Sequence, residues 1–283
     1  MKPRKRFAQH FLEPAWVNKL VAAAGITPED AVVEIGPGRG AITRPLAEQC
    51  RRLLAIEVDR DLAADLEANK PANVTVVTGD VLSIDLVPIL TDWLGTPPGP
   101  DNQVRIVGNL PYNISSPILF RLLALAGETG GVRDALLMLQ KEVADRLIAR
   151  IGTGDYGVLT VLTTLHADVK RVLSLPPGGF RPPPKVHSAV VRLTFRPPKV
   201  QLDDPDAFVR MVRTTFTQRR KTVANALKAF ASETGQDAGA VLKAVGIDSQ
   251  RRPETLELAE FASLANAFGT SRTPGTPGNP PKA

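Results

Sequence analysis

Asn109, Leu110, Pro111 and Tyr112 stand in a row directly after the apolar run at 104–107 and Gly108. The run reads as a buried strand. A strand end needs only something that turns, and these four residues carry more than a turn requires. Asn109 brings an amide. Pro111 lacks an N–H and stiffens the backbone, which helps aim a neighbouring carbonyl. Tyr112 brings a flat aromatic face with a polar tip, either a platform for a ring-shaped ligand or a side chain that packs into the core.

Two other strand ends carry comparable residues. Gly36, Gly38 and Ala41 fit G-x-G-x-x-G/A between the apolar run 31–36 and a helix-like stretch, a pattern that lets backbone approach a nucleotide closely. Glu57 ends the next apolar run, where a carboxylate can accept hydrogen bonds from ribose hydroxyls. Asp80 ends the third, in "TGD", placed either to receive the exocyclic amine of adenine or to cap a following helix. These residues indicate a nucleoside-containing ligand without naming it; a nicotinamide cofactor would satisfy the glycines and Glu57 equally.

The elements that must position these residues alternate. Strand-like runs at 31–36, 52–59, 74–80, 104–109 and 134–140 are separated by helix-like runs at 41–50, 60–70, 116–127 and 141–150, with a looser stretch around Trp93. Apolar strands between amphipathic helices predict a parallel sheet covered on both faces, an α/β Rossmann-like fold. Ligands of such sheets bind at the strands' carboxyl ends, near the point where strand order reverses. Runs at 169–175 and 188–195 flank a Pro-rich loop at 176–187 and predict an antiparallel strand at the end of the sheet. Beyond residue 198 the pattern is helical only. The expected organisation is an α/β domain over 1–198, a small all-α domain over 199–268, and a disordered Gly/Pro-rich tail over 269–283.

Bulk properties exclude several classes. Of 283 residues, 43% are apolar, enough for a large core and against global disorder. The single cysteine, Cys50, excludes a disulfide framework or a Cys-rich zinc site within one chain. His10, His166 and His187 have no metal-ligand spacing, so no metal is expected. No apolar run is long enough for a membrane helix, and the N-terminus lacks the apolar region of a signal peptide. A soluble cytoplasmic protein is expected. A net charge of +6 favours a polyanionic partner. Arg210, Arg213, Arg220, Lys221 and Lys228 would fall close to one side of a continuous helix, a stripe suited to an RNA backbone. Lys2, Arg4, Lys5 and Arg6 add charge at the other end of the chain.

Five segments in order, "KRFAQHFL" at 5–12, "VEIGPGRGAIT" at 33–43, "GNLPYNISSPILF" at 108–120, "FRPPPKVHSAVVRL" at 180–193 and "QRRKTVANAL" at 218–227, resemble the ribosomal RNA adenine dimethyltransferases, most closely those of the small-subunit (16S) RNA. The resemblance implies a class I methyltransferase domain with S-adenosylmethionine as cofactor. It implies N6,N6-dimethylation of two adjacent adenosines near the 3′ end of 16S rRNA, within an immature small subunit, by a monomer. Asn109 and a backbone carbonyl of Leu110 or Pro111 would then accept the two N–H groups of adenine N6, and Tyr112 would stack on a flipped base. Gly36, Gly38, Glu57, Asp80 and Asn109 would bind cofactor. The N-terminal segment, with His10 and Leu12, would cover its methionine end; the family has Asn where this chain has His10. Phe180 would form a second wall around the base. Lys185, Arg213, Arg220 and Lys221 would contact RNA. The rival readings are a 23S rRNA methyltransferase conferring antibiotic resistance and a non-catalytic RNA-binding factor.

Overall fold

The computed structural model describes residues 11–269. These residues form two compact units. One holds residues 11–149 and 166–198, the other 150–165 and 199–269.

The first unit is built on a seven-stranded sheet. Its strands are β2 (Ala31–Ile35), β3 (Arg52–Glu57), β4 (Val74–Thr78), β5 (Val104–Asn109), β6 (Val132–Gln140), β7 (Ala167–Leu175) and β9 (Ser188–Phe195), in the order β4-β3-β2-β5-β6-β9-β7. β9 runs antiparallel to both its neighbours, and the pairs among β2 to β6 are parallel. The antiparallel strand is thus last in the chain but one position in from the sheet edge. β2 and β5 are adjacent, with Ile35 opposite Gly108, so strand order reverses between them. β2 is buried along its whole length, as expected of a central parallel strand covered on both faces. A separate ribbon pairs β1 (Phe11–Leu12) with β8 (Phe180–Arg181), Leu12 opposite Phe180.

Helices cover the sheet where the sequence supplies start signals and apolar stripes. α1 (Pro14–Ala24) begins on a proline, buries Val17, Leu20 and Val21, and ends at Gly25. α2 is Thr43–Ala47. α3 (Arg60–Ala68) is capped by Asp59, whose carboxylate accepts the Asp61 N–H at 3.0 Å, and buries Leu62, Ala63 and Leu66. α5 (Ser115–Thr129) and α6 (Lys141–Leu147) follow β5 and β6. The looser stretch around Trp93 is a helix, α4 (Leu86–Leu94). Pro88 obscures it in the sequence, but it lies in the first turn, where no intrahelical N–H is required.

The second unit comprises α7 (Val158–His166) for most of its length, α8 (Pro205–Thr217), α9 (Val223–Thr234), α10 (Ala238–Ala244) and α11 (Leu258–Gly269). Residues 150–165, which the sequence reading kept within 1–198, join these helices through specific bonds. The Tyr156 hydroxyl donates to the Leu256 carbonyl at 2.9 Å, and its ring packs 6.2 Å from that of Phe216. The Gly152 N–H donates to the Glu254 carbonyl. The expected tail lies outside the described residues.

Candidate active site

The carboxyl ends of β2, β3, β4 and β5 line one cleft that is open to solvent. After β2 the chain turns through Gly36 and Gly38, with φ of +70° and +58°, a conformation that favours glycine. A Cβ on Gly36 would stand 4.0 Å from the Asn109 carbonyl oxygen, at van der Waals contact, so the turn after β2 lies against the end of β5. Gly108 is required for another reason: a Cβ would meet the Ile35 carbonyl at 3.1 Å and Leu110 Cδ2 at 2.9 Å. Glycine therefore lets β5 approach β2 closely enough to bring Asn109 beside the turn.

Glu57 is buried at the end of β3. Its two carboxylate oxygens accept the Gly38 and Asp59 N–H groups, each at 2.9 Å, which ties the glycine turn to the neighbouring strand. Each oxygen retains lone-pair capacity for a ligand hydroxyl. Asp80, after β4, lines the cleft and accepts the Leu82 N–H at 2.9 Å in a turn; it caps no helix, because α4 starts at Leu86 with Asp85 as its cap. Val58 and Val81, each directly after one of these acids in the chain, also line the cleft, and Val58 is 44% exposed. The sequence reading missed both; the available signal was an apolar residue directly after each acidic strand end.

Asn109, Leu110, Pro111 and Tyr112 form the opposite rim. The Leu110 N–H donates to the Met138 carbonyl at 3.3 Å, and its side chain is buried. The Pro111 carbonyl accepts the Ile114 N–H at 3.2 Å, and the Tyr112 carbonyl accepts the Ser115 hydroxyl, so the turn is held by its own bonds. The Tyr112 hydroxyl lies 2.6 Å from Ser188 Oγ, a partner that sequence reasoning did not find. Burial pushes the Tyr112 phenol above its ordinary value, with the Ser188 hydrogen bond pulling the other way, and it remains protonated at neutral pH.

Glu34 lies one residue before the carboxyl end of β2. It is 1% exposed, and its Oε2 has no hydrogen-bond partner among the described residues. Burial pushes its carboxyl up to about 7; the nearby Glu57 charge adds to this and the Thr43 hydroxyl opposes it.

Leu12 lines the cleft as expected, whereas His10 lies outside the described residues. Phe180 differs from expectation. Its ring is 2% exposed, lies in the same buried cluster as Leu12, and does not line the cleft. The β1–β8 pairing draws it into the core, so it anchors the loop from behind. Lys185 is exposed in that loop. In the helical unit, Arg210, Arg213, Arg220, Lys221 and Lys228 are all exposed, but one continuous helical stripe does not form. α8 ends at Thr217 and α9 starts at Val223, with the Lys221 N–H bonded to the Gln218 carbonyl in the turn between them. Arg220 and Lys221 instead rim an open concavity with Arg219 and Arg252. Arg219 there is bonded to Glu254 at 2.7 Å.

The cleft fits S-adenosylmethionine: a glycine-bearing turn beside Asn109, the Glu57 and Asp80 carboxylates for hydroxyls and an amine, and the apolar side chains of Val58 and Val81. Among the described residues no cluster of His, Cys, Asp or Glu could hold a metal ion, and no helix is long and apolar enough to cross a membrane.

Comparison with known proteins agrees with this geometry. The family model described as ribosomal RNA adenine dimethylase matches residues 1–269. A ribosomal RNA small subunit methyltransferase A from Laribacter hongkongensis is 42% identical over 94% of this chain and 96% of its own length. One from Syntrophotalea carbinolica is 44% identical over 93% and 96%. Among solved structures, a dimethyladenosine transferase from Plasmodium falciparum shares the fold, with a TM-score of 0.72 at 24% identity over 92% of this chain and 98% of that one. The 23S rRNA methyltransferase ErmE follows, with a TM-score of 0.61 at 25% identity over 92% and 99%. The match over nearly the whole chain, on a class I methyltransferase fold, means that this chain belongs to the ribosomal RNA adenine dimethylase family, enzymes that use S-adenosylmethionine.

Proposed function

We propose that the enzyme dimethylates N6 of two adjacent adenosines near the 3′ end of small-subunit rRNA, acting as a cytoplasmic monomer on an immature subunit. The relatives at 42% and 44% identity, named for the small subunit, support that branch over the large-subunit one. The observation that carries the catalytic part is the approach of Asn109 to the glycine turn across the β2–β5 switch point.

The bound cofactor supplies an electrophilic methyl group on a sulfonium. Glu57 accepts from ribose hydroxyls, Asp80 from the cofactor's adenine amine, and Val58 and Val81 cover its base. Leu12, behind the turn, shields the methionine end. The target amine is a poor nucleophile because its lone pair is delocalised into the ring, and it is uncharged at neutral pH, so its main need is alignment. The Asn109 side-chain oxygen and the Leu110 carbonyl accept its two N–H groups and turn the lone pair toward the methyl. The bond from Ile114 to the Pro111 carbonyl favours Leu110 for this role. Tyr112 supports the flipped base from one face. Rate acceleration then comes from positioning and from fixed dipoles. Arg213, Arg220, Lys221 and Lys185 bind the RNA backbone.

Methyl transfer from labelled S-adenosylmethionine to unmodified small subunits, with the product mapped by mass spectrometry, tests this reading. N6,N6-dimethyladenosine at neighbouring positions supports it. Transfer to large-subunit RNA alone moves the chain to the resistance branch, and cofactor binding without transfer makes its RNA role non-catalytic. Arg220→Glu with Lys221→Glu is expected to weaken RNA binding and flatten its dependence on salt.

A further inference from the structure

Ser188 lies far from the NLPY motif in sequence, yet its hydroxyl oxygen is 2.6 Å from that of Tyr112, a short O–H···O hydrogen bond. Ser188 is a fixed point. It is 1% exposed at the start of β9, opposite Gln140 in β6 and Leu175 in β7, and the adjacent His187 carbonyl accepts the Lys141 N–H at 2.9 Å. The Tyr112 ring is half-buried on the rim of the cleft. The Ser115 hydroxyl holds its backbone carbonyl at 3.2 Å, while Ser188 holds the far end of its side chain. A phenylalanine would offer the same stacking face, so the phenol oxygen needs a separate explanation.

We propose that Ser188 is a positioning residue for methyl transfer: through its hydrogen bond to the Tyr112 hydroxyl it sets the plane of the ring against which the target adenine docks. Without that bond the plane of the ring is less well fixed, and the base above it loses alignment with Asn109. The proposal rests on the reading that Tyr112 faces the target base.

The test compares Ser188→Ala, Tyr112→Phe, the double variant and Tyr112→Ala. Turnover is measured on unmodified small subunits. Cofactor affinity is measured by calorimetry. Base docking is followed by fluorescence of a small-subunit RNA fragment carrying 2-aminopurine in place of a target adenosine. Loss of one hydrogen bond predicts a fall in kcat of about 3–10-fold in each single variant. Cofactor affinity should be unchanged and 2-aminopurine quenching reduced. The double variant should be no worse than the weaker single one, because both remove the same bond. Additive losses, wild-type kcat in Tyr112→Phe, or a parallel loss of cofactor affinity would overturn the proposal. Tyr112→Phe, altered at the half-buried end, carries the test if Ser188→Ala does not fold. The underlying reading fails separately, if Tyr112→Ala retains full turnover and quenching.

Discussion

The two ends of the central sheet are built on opposite principles. At the amino end, Arg105 is 6% exposed and fully engaged: it donates to Asp134 twice at 2.7 Å, to Asp30 at 3.0 Å, and to the Gly25 and Ala24 carbonyls that end α1. Arg192 also binds Asp134, and Arg133 binds Asp30. At the carboxyl end the acids point into an open cleft, two glycines replace side chains, and Glu34 is buried with an oxygen lacking a partner among the described residues. One end spends its charged groups on closure. The other keeps hydrogen-bonding capacity unspent, as a site must if a ligand is to use it. Stability and function should therefore separate along each strand.

The largest effect is expected at the closed end. Arg105→Leu leaves Asp134 buried with Arg192 and Asp30 with Arg133 and the Thr27 N–H, and should cost about 3–5 kcal/mol of folding stability. A chemical denaturation midpoint measures it. Cofactor affinity of the folded fraction should be unchanged; a matching loss of affinity would break the comparison. At the open end, Asn109→Ala should lower kcat by about 100-fold or more with cofactor affinity nearly intact, the scale of removing one preorganised polar group from a transition-state site. Calorimetry beside single-turnover rates checks this, and a large fall in affinity would make Asn109 chiefly a cofactor ligand. Glu57→Gln should act chiefly on function, weakening cofactor binding about 10-fold through lost charge-assisted bonds, with a smaller loss of stability than Arg105→Leu because one of the Gly38 and Asp59 N–H groups loses its acceptor.

The smallest effect is a difference in pH dependence. Burial alone would raise the Asp30 carboxyl, but bonds from the Thr27 N–H, Arg105 and Arg133 hold it below its ordinary value of 3.8. Its contribution to stability is present above that value and fades as pH falls through the lowered one. Glu34 has the opposite sign. Its carboxyl is held at about 7 against an ordinary 4.5, so stability declines as pH rises from 4.5 through about 7. Glu34→Gln should remove the decline between pH 4.5 and about 7 and leave the acid limb in place. A melting profile that keeps its upper limb in this variant would assign that limb to another group.

Much of this site is legible in sequence because its parts are local. Gly36, Gly38, Glu57 and Asn109 each follow an apolar run, and a run followed by a turn residue marks a strand end without knowledge of the rest of the chain. A parallel sheet aligns all such ends on one edge, so listing strand ends comes close to listing the site. The basic stripe was less secure because it assumed a continuous helix from Arg210 to Lys228. The turn at 218–222 replaces that stripe with a rim containing Arg220, Lys221 and Arg252.

By itself, the sequence determined the strand ends, the chemistry available at each and the family. Only the tertiary structure decided which distant residues meet. The family resemblance implies a second wall at Phe180, yet pairing of Leu12 with Phe180 buries its ring. Tyr156 sits in a stretch with no distinguishing pattern, yet its bond to the Leu256 carbonyl joins residues 150–165 to the helical unit. Ser188 opens an ordinary strand, and nothing near it in sequence points to Tyr112. The physical reason is common to all three: periodicity and turn chemistry are properties of neighbouring residues, whereas a hydrogen bond or a buried ring contact depends on the register with which distant strands pair.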